Sequence, residues 1–340
     1  MATTTDLEVL ASSDWLAHRY DEAQDLFHFC HIPWADRAPI PFLSDDALHS
    51  YQERHHIAAQ QIDPKSSGTP LHFIFHSAFC ASTLLAKALA AGPVSSLSEP
   101  QLLNDMIGAL RRGMPPTEVA RALDQALALL ARPGADTAMV VIKPSNLVNH
   151  LAQAMLMLRP ESRAVFLFAP LDVFLGSVAR KGLWCRLWVR ELLEGFLTDQ
   201  AVDLGMAPGD YFRQSDLQVA ATGWLAQHAL FHKLAAKLGP GRIATLDSET
   251  LTARPADVLA AAAAHYGLAA SADDVAAMAA SPAFTRHSKS GAAFDAATRE
   301  AEYAAARAAH DDEIGKVATW VRAVAEANGI AETLPLPLLG

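Results

Sequence analysis

A chain of 340 residues, 51% hydrophobic and 19% charged, has ample apolar surface for a large core, which excludes both a mini-protein and an intrinsically disordered chain. Its 37 acidic residues against 27 Lys and Arg give a net charge of −10 with His neutral. That balance disfavours a non-specific grip on nucleic acid but leaves local basic pockets open to an anionic small ligand. Cys30, Cys80 and Cys185 are odd in number and widely spaced, so they make neither a disulfide framework nor a CxxC site, and the chain reads as cytosolic.

The opening MATTTDLEVLASSDW carries acids where a secretory signal needs bases, so no export is expected. Residues 1–70 read as an N-terminal helical extension. Apolar residues recur at helical spacing from Leu7 to Arg19, and Pro33, Pro39 and Pro41 then enforce an extended connection. His28, Cys30, His31, His55 and His56 lack paired zinc-ligand spacing, and their aromatic neighbours point to a packed helix or loop.

The punctuation Pro64 to Pro70 precedes LHFIFH, and a main domain over 71–270 is predicted to begin there. The pattern predicts strands at Leu71 to His76, Val94 to Leu97, Ala138 to Lys143, Ala164 to Phe168 and Arg242 to Leu246. Helices are predicted at Ser82 to Ala91, between Leu102 and Leu130, and at Leu147 to Leu158, Trp224 to Leu238 and Pro255 to Tyr266. Strands alternating with helices require crossovers, so the expected architecture is α/β, with a parallel sheet of about five strands covered on both faces. Residues 271–340 read as an alanine-rich helical segment and a tail, ETLPLPLLG, that lies as an arm on the surface or on a partner. No stretch has the length and apolarity of a membrane span.

The most informative segment is FIFHSAFCASTLLAKAL, where the turn His76 to Ala81 joins an apolar strand to a helix beginning Ser82-Thr83. A helix N-terminus offers unpaired N–H donors and the positive end of the dipole, and Ser77, Ser82 and Thr83 add hydroxyls, so this is a geometry for an anion. The competing reading is a simple turn capped by Ser or Thr. A nucleotide-hydrolysing P-loop would need GxxxxGK[ST], and Ala81-Ser82-Thr83 lacks its lysine.

Here the sequence resembles the P-loop sulfotransferases, whose loops read like PRSGTTL where this chain has Ala78-Phe79-Cys80-Ala81-Ser82-Thr83-Leu84. Ser98-Glu99-Pro100 matches a Ser-Glu-Pro after the family's second strand, Lys143-Pro144-Ser145 a Lys-Asp-Pro after the third, and Ser177 and Lys181 fall in register with a segment that grips a 3′-phosphate. The resemblance covers roughly Leu71 to Gly182. It implies a kinase-like parallel sheet, 3′-phosphoadenylyl sulfate (PAPS) as donor, no metal, and transfer of a sulfuryl group to a hydroxyl or amine. On that reading Ser77, Cys80, Ala81, Ser82 and Thr83 cradle the sulfate-bearing phosphate, and Ser177 and Lys181 hold the 3′-phosphate. Lys143 stabilises the transferred group or the leaving phosphate, and Glu99 is the base, with His76 as the alternative.

Two positions depart from the family: Phe79 stands at the loop arginine, and Ala169 at the arginine that pairs the 3′-phosphate. Lys143, Arg180-Lys181 and the segment Arg286 to Lys289, with Lys143 and Lys289 on an equal footing, are the cations able to replace them. A non-catalytic anion-binding protein and a kinase-like transferase on the same fold are the alternatives. The acceptor is a small molecule, carbohydrate or peptide, and a homo-oligomer is compatible with the sequence. Trp184, Arg186, Trp188 and Arg190 alternate as in a single-strand-binding face. With the net charge at −10, they are read instead as lining an acceptor pocket or an interface, or as packing.

Overall fold

The computed structural model describes residues 4–37, 40–65, 68–132, 134, 137–284 and 296–340. They form two sheets. After a one-turn helix α1 (Asp6–Ala11), the strands β1 (Trp15–Asp21), β2 (Leu26–His31) and β3 (Arg54–Ala58) make an antiparallel sheet in that order. The helical extension expected over residues 1–70 is therefore corrected: among the described residues α-helix there is confined to Asp6–Ala11, with single 3-10 turns at Trp34–Asp36 and Ala59–Gln61, and most of the regular structure is strand. The physical reason lies in the hairpin turn. Asp21 Oδ1 accepts from the N–H groups of Ala23 (2.9 Å) and Gln24 (3.1 Å), and Asp25 adopts φ 53°, so acidic side chains do here what Asn-Gly does in a more legible turn.

The second sheet is parallel. It comprises β4 (Leu71–His76), β5 (Val94–Ser98), β6 (Met139–Lys143), β7 (Ala164–Phe168) and β8 (Ile243–Asp247) in the order β5-β6-β4-β7-β8. The five strands and covered faces agree with the sequence reading. Side chains of the strands alternate between two cores: Phe73, Phe75, Val140, Ile142 and Phe166 enter one, and Ile74, Val141, Val165 and Leu167 the other. This is the period-two consequence of a strand buried on both faces.

The first core is closed by α3 (Gln101–Arg111), α4 (Pro116–Leu130) and α5 (Ala152–Leu158), together with the N-terminal sheet. Asp105 of α3 accepts from Arg19 Nε (2.8 Å) and the Tyr20 N–H (2.9 Å), and Gln125 of α4 donates to the Ala59 and Ile62 carbonyls. These bonds fasten the small sheet to the large one. The second core is filled from α2 (Ser82–Leu89), α6 (Leu171–Arg180), α11 (Pro255–Tyr266) and α13 (Ala296–Ala327), while α7 (Gly182–Thr198) and α9 (Asp216–Leu238) feed both. Short helices α8 (Pro208–Phe212), α10 (Ser248–Ala253) and α12 (Ala272–Ala279) complete the chain.

Both edges of the parallel sheet are covered, as an exposed ladder would otherwise invite pairing. The Leu43 N–H bonds the Ser98 carbonyl (2.9 Å) beyond β5. At the other edge the proline-rich tail lies along β8, with Thr245 N–H to Leu336 O and Leu338 N–H to Thr245 O, both 2.8 Å. The tail expected to be an arm is thus an added edge. Among the described residues no helix is long and apolar enough to cross a membrane.

Candidate functional site

The site begins where β4 ends. Ser77 is tied to the end of β7 on both sides: its N–H donates to Leu167 O (3.0 Å) and its Oγ accepts from the Ala169 N–H (3.3 Å). The chain then places Ala78, Phe79 and Ala81 at φ 70°, 50° and 62°, a left-handed region in which each non-glycine residue costs about 1–2 kcal/mol. Ala81 is the N-cap of α2 and no side chain caps the helix, so the capped turn weighed from sequence is not what forms. The N–H groups of Phe79, Ala81 and Thr83 find no acceptor among the described residues. Three donors at a positive helix end make a cradle for an anion. Burial pushes the Cys80 thiol up, against the opposing effects of Ser82 and the Lys143 charge, which keeps it a thiol rather than a nucleophilic thiolate.

Beside the cradle, three adjacent strands bring together His76, Glu99 and Lys143. Lys143 ends β6, is fully buried, and sets its ammonium 2.5 Å from Glu99 Oε1 and 5.3 Å from the centre of the Phe42 ring. Glu99 follows β5 at φ 49°, held there by its N–H to the Lys143 carbonyl (2.7 Å). Its side chain is 25% exposed, and Oε2 makes no hydrogen bond among the described residues. One carboxylate oxygen is thus anchored and the other is open. Pro100 is the N-cap of α3, which leaves Glu99 outside the helix.

His76 is engaged differently. Its Nδ1 accepts from the Ala78 N–H (3.2 Å), which puts the proton of the neutral ring on Nε2, 3.1 Å from the Pro144 carbonyl. Nε2 also lies 3.4 Å from Lys143 Nζ and 3.9 Å from Glu99 Oε1. The ring links the loop backbone to the Lys143–Glu99 pair.

A buried amide network that the sequence reading did not single out supports the loop from below. Asn149 Nδ2 donates to the His76 carbonyl (3.0 Å) and to Gln227 Oε1 (3.2 Å), Asn146 Nδ2 donates to the same Oε1 (3.3 Å), and Gln227 Nε2 reaches the Ser77 carbonyl (3.4 Å). Asn149 and Gln227 are fully buried.

Phe79 packs with Phe174 and Trp188, ring centres 5.9 and 5.6 Å apart, and carries Lys181 Nζ 5.4 Å above its face. Phe79 thereby brings a lysine to the loop. Ser177 is buried in α6 one turn before Lys181. Ala169 is also buried, its carbonyl taking the Trp224 indole N–H at 2.9 Å. Lys289 and the rest of Arg286 to Lys289 lie outside the described residues.

Of the alternating tryptophans and arginines, Arg186 and Arg190 pair with Asp216 and Trp188 packs on Phe79. Trp184 is 67% exposed beside Leu183 (71%) and Leu187 (53%). In the N-terminal sheet, His28 packs against His56 with tilted rings, while His31 and His55 meet Glu53 and Asp6. Among the described residues no group of three or more His, Cys, Asp or Glu is placed to hold a metal.

No family model matches the chain, and no curated protein does. Among solved structures it is similar to a sulfotransferase domain from the curacin biosynthetic pathway, at 16% identity and TM-score 0.42 over 68% of this chain and 85% of that one. It is also similar to sulfotransferase STF1 from Mycobacterium tuberculosis H37Rv, at 15% identity and TM-score 0.42 over 65% and 73%. A third is sulfotransferase STF9 from Mycobacterium avium, at 10% identity and TM-score 0.43 over 71% and 76%.

Proposed function

We propose that the protein is a sulfotransferase-like enzyme that moves a sulfuryl group from PAPS to a hydroxyl or amine of a small-molecule, carbohydrate or peptide acceptor in the cytosol. The observation that carries this reading is the juxtaposition of an uncapped, donor-rich loop, 77–83, with a carboxylate whose free oxygen lies at the same sheet edge. The donor set fits the 5′ end of PAPS: unpaired N–H groups at Phe79, Ala81 and Thr83, and the hydroxyls of Ser82 and Thr83. At the 3′-phosphate, Lys181 and Ser177 stand in for the missing arginine at Ala169.

When bound, PAPS supplies an activated sulfuryl group. Glu99 Oε2 takes the acceptor proton, and its partner oxygen is held by Lys143 so that the open lone pairs keep one direction. Lys143 also contributes positive charge where negative charge develops. His76, with Nδ1 committed to Ala78 and Nε2 to Pro144, positions the loop relative to this pair and is a poorer base than Glu99. No step calls for a metal ion.

The test is transfer from PAPS in the presence of a chelator, across a panel of hydroxyl and amine acceptors. Turnover that survives chelation and falls at least about a hundredfold in Glu99→Gln, the scale of a lost general base, supports the reading. Full turnover by Glu99→Gln removes Glu99 from the role of base. Phe79 and Ala169 favour one second reading, a non-catalytic protein that binds adenosine 3′,5′-bisphosphate; binding without turnover on any acceptor identifies it.

A further inference from the structure

We propose that the exposed face of α7 pairs with the same face of a second copy of this chain, as two antiparallel helices about a two-fold axis. The pairing does not depend on the reading of loop 77–83.

Leu183, Trp184 and Leu187 stand exposed together on the opening turns of α7. An apolar side chain exposed singly needs no explanation, whereas a contiguous group of them marks a surface that meets something else. Phe212, exposed on α8, lies beside the same helix, because the Gln214 carbonyl two residues further on accepts from Arg190 of α7 at 3.4 Å. The other side of α7 is already committed: Cys185, Val189, Leu192, Leu193 and Phe196 are buried.

The exposed face changes character along its length. Leu183, Leu187, Glu191 and Glu194 recur at helical spacing and share one face, so its first half is apolar and its second half acidic. Glu191 and Glu194 are exposed and enter no ion pair among the described residues. Arg180 and Lys181 stand exposed immediately before the helix. Reversed on a second copy, this order complements itself. With the axis between Leu183 and Leu187, Leu183 faces Leu187 of the partner subunit, the two Trp184 rings flank the axis, and Arg180 comes level with Glu191 of the partner subunit. The positive end of each helix dipole then also lies beside the acidic half of the other helix.

A parallel pairing would instead bring the two acidic halves together. A lipid surface is a poorer occupant, because the acids on this face and the net charge of −10 oppose anionic headgroups. Contact through one helix lies at the small end of specific interfaces, so association in the micromolar range is expected.

Sedimentation equilibrium of the full chain, from about 1 to about 200 µM, tests this. The mass should climb from that of one chain toward that of two. Leu187→Glu, at an exposed position, should hold it at one chain, whereas Leu7→Glu, at an exposed apolar residue of α1, should leave the climb intact. Arg180→Glu and Glu191→Arg should each weaken association about tenfold, and the two exchanged together should restore it. A chain that stays monomeric throughout, a Leu187→Glu protein that still dimerises, a Leu7→Glu protein that does not, or a double exchange no tighter than its single parents overturns the pairing.

Discussion

The two halves of the Lys143–Glu99 pair should respond unequally to removal. Lys143 is fully buried, whereas the Glu99 side chain keeps 25% of its exposure, and the two meet at 2.5 Å. Glu99→Ala leaves an ammonium in the interior without the carboxylate that faces it. Breaking a fully buried pair this way costs about 3–5 kcal/mol, and partial solvation of Glu99 brings the expectation to about 2–3 kcal/mol. Lys143→Met removes the buried charge itself and nearly conserves volume, and it leaves behind a carboxylate that water already reaches. Its cost should stay below about 1.5 kcal/mol.

The double variant should then lie close to Lys143→Met alone, so a double-mutant cycle should return a coupling close to the whole Glu99→Ala loss, about 2–3 kcal/mol. Urea unfolding is the suitable assay because urea, unlike guanidinium chloride, does not screen charge; the midpoint should shift while the slope stays constant. Equal losses in the two single variants, or a Glu99→Ala protein as stable as the parent, would refute the reasoning.

Other outcomes follow from the same geometry. Gln227→Leu strands the Ser77 carbonyl and the Asn146 and Asn149 amides, and should cost about 2–3 kcal/mol in urea unfolding as well as weakening bisphosphate binding in calorimetry. Ala81→Gly, at φ 62°, should stabilise the protein by up to about 1 kcal/mol, because glycine occupies the left-handed region without a Cβ clash. Phe79→Arg should tighten bisphosphate binding about tenfold or more through a charge-assisted contact, while losing stability from its packing on Phe174 and Trp188.

Stability should also fall with acid. Burial pushes the His72 imidazole down to about 4 and the His228 imidazole to about 3, so the unfolded chain takes up protons first. The contribution of these two residues is complete above about pH 6.5 and is lost as pH falls toward 4, at roughly 2 kcal/mol each by pH 5. Chemical unfolding of His228→Leu from pH 7 to 5 should show a shallower decline than the parent; an unchanged slope would contradict the assignment.

The parallel sheet was legible because its strands are continuous apolar runs bounded by clear breaks. Leu71–His76, Ala164–Phe168 and the helix Pro255–Tyr266 begin and end where the pattern places them. The N-terminal sheet was not, for two reasons. A bulge between Ala17 and Arg19 interrupts its alternation, and a turn closed by Asp21 and Asp25 carries no glycine or proline. The helix expected from Leu147 also begins otherwise, as a 3-10 segment from Asn146 to Leu151, with the Ser145 hydroxyl accepting from the Leu147 N–H at 3.4 Å.

At the site, strand ends told enough to bring His76, Glu99 and Lys143 to one edge. Sequence could not show that Lys143 is spent on Glu99, that both nitrogens of His76 face backbone groups, or that Lys181 sits on Phe79. The contact from Gln227 to Ser77 spans 150 positions and leaves no local pattern to read.

The most direct measurement is a calorimetric titration of the full chain with adenosine 3′,5′-bisphosphate, with ATP and Mg²⁺ as the comparison ligand. The account predicts micromolar binding of the bisphosphate, about −8 kcal/mol, without metal, tighter than ATP and weakened by Lys181→Ala. Absence of bisphosphate binding, with or without binding of ATP, would contradict it and would mean that Phe79 and Ala169 mark a site for a different ligand.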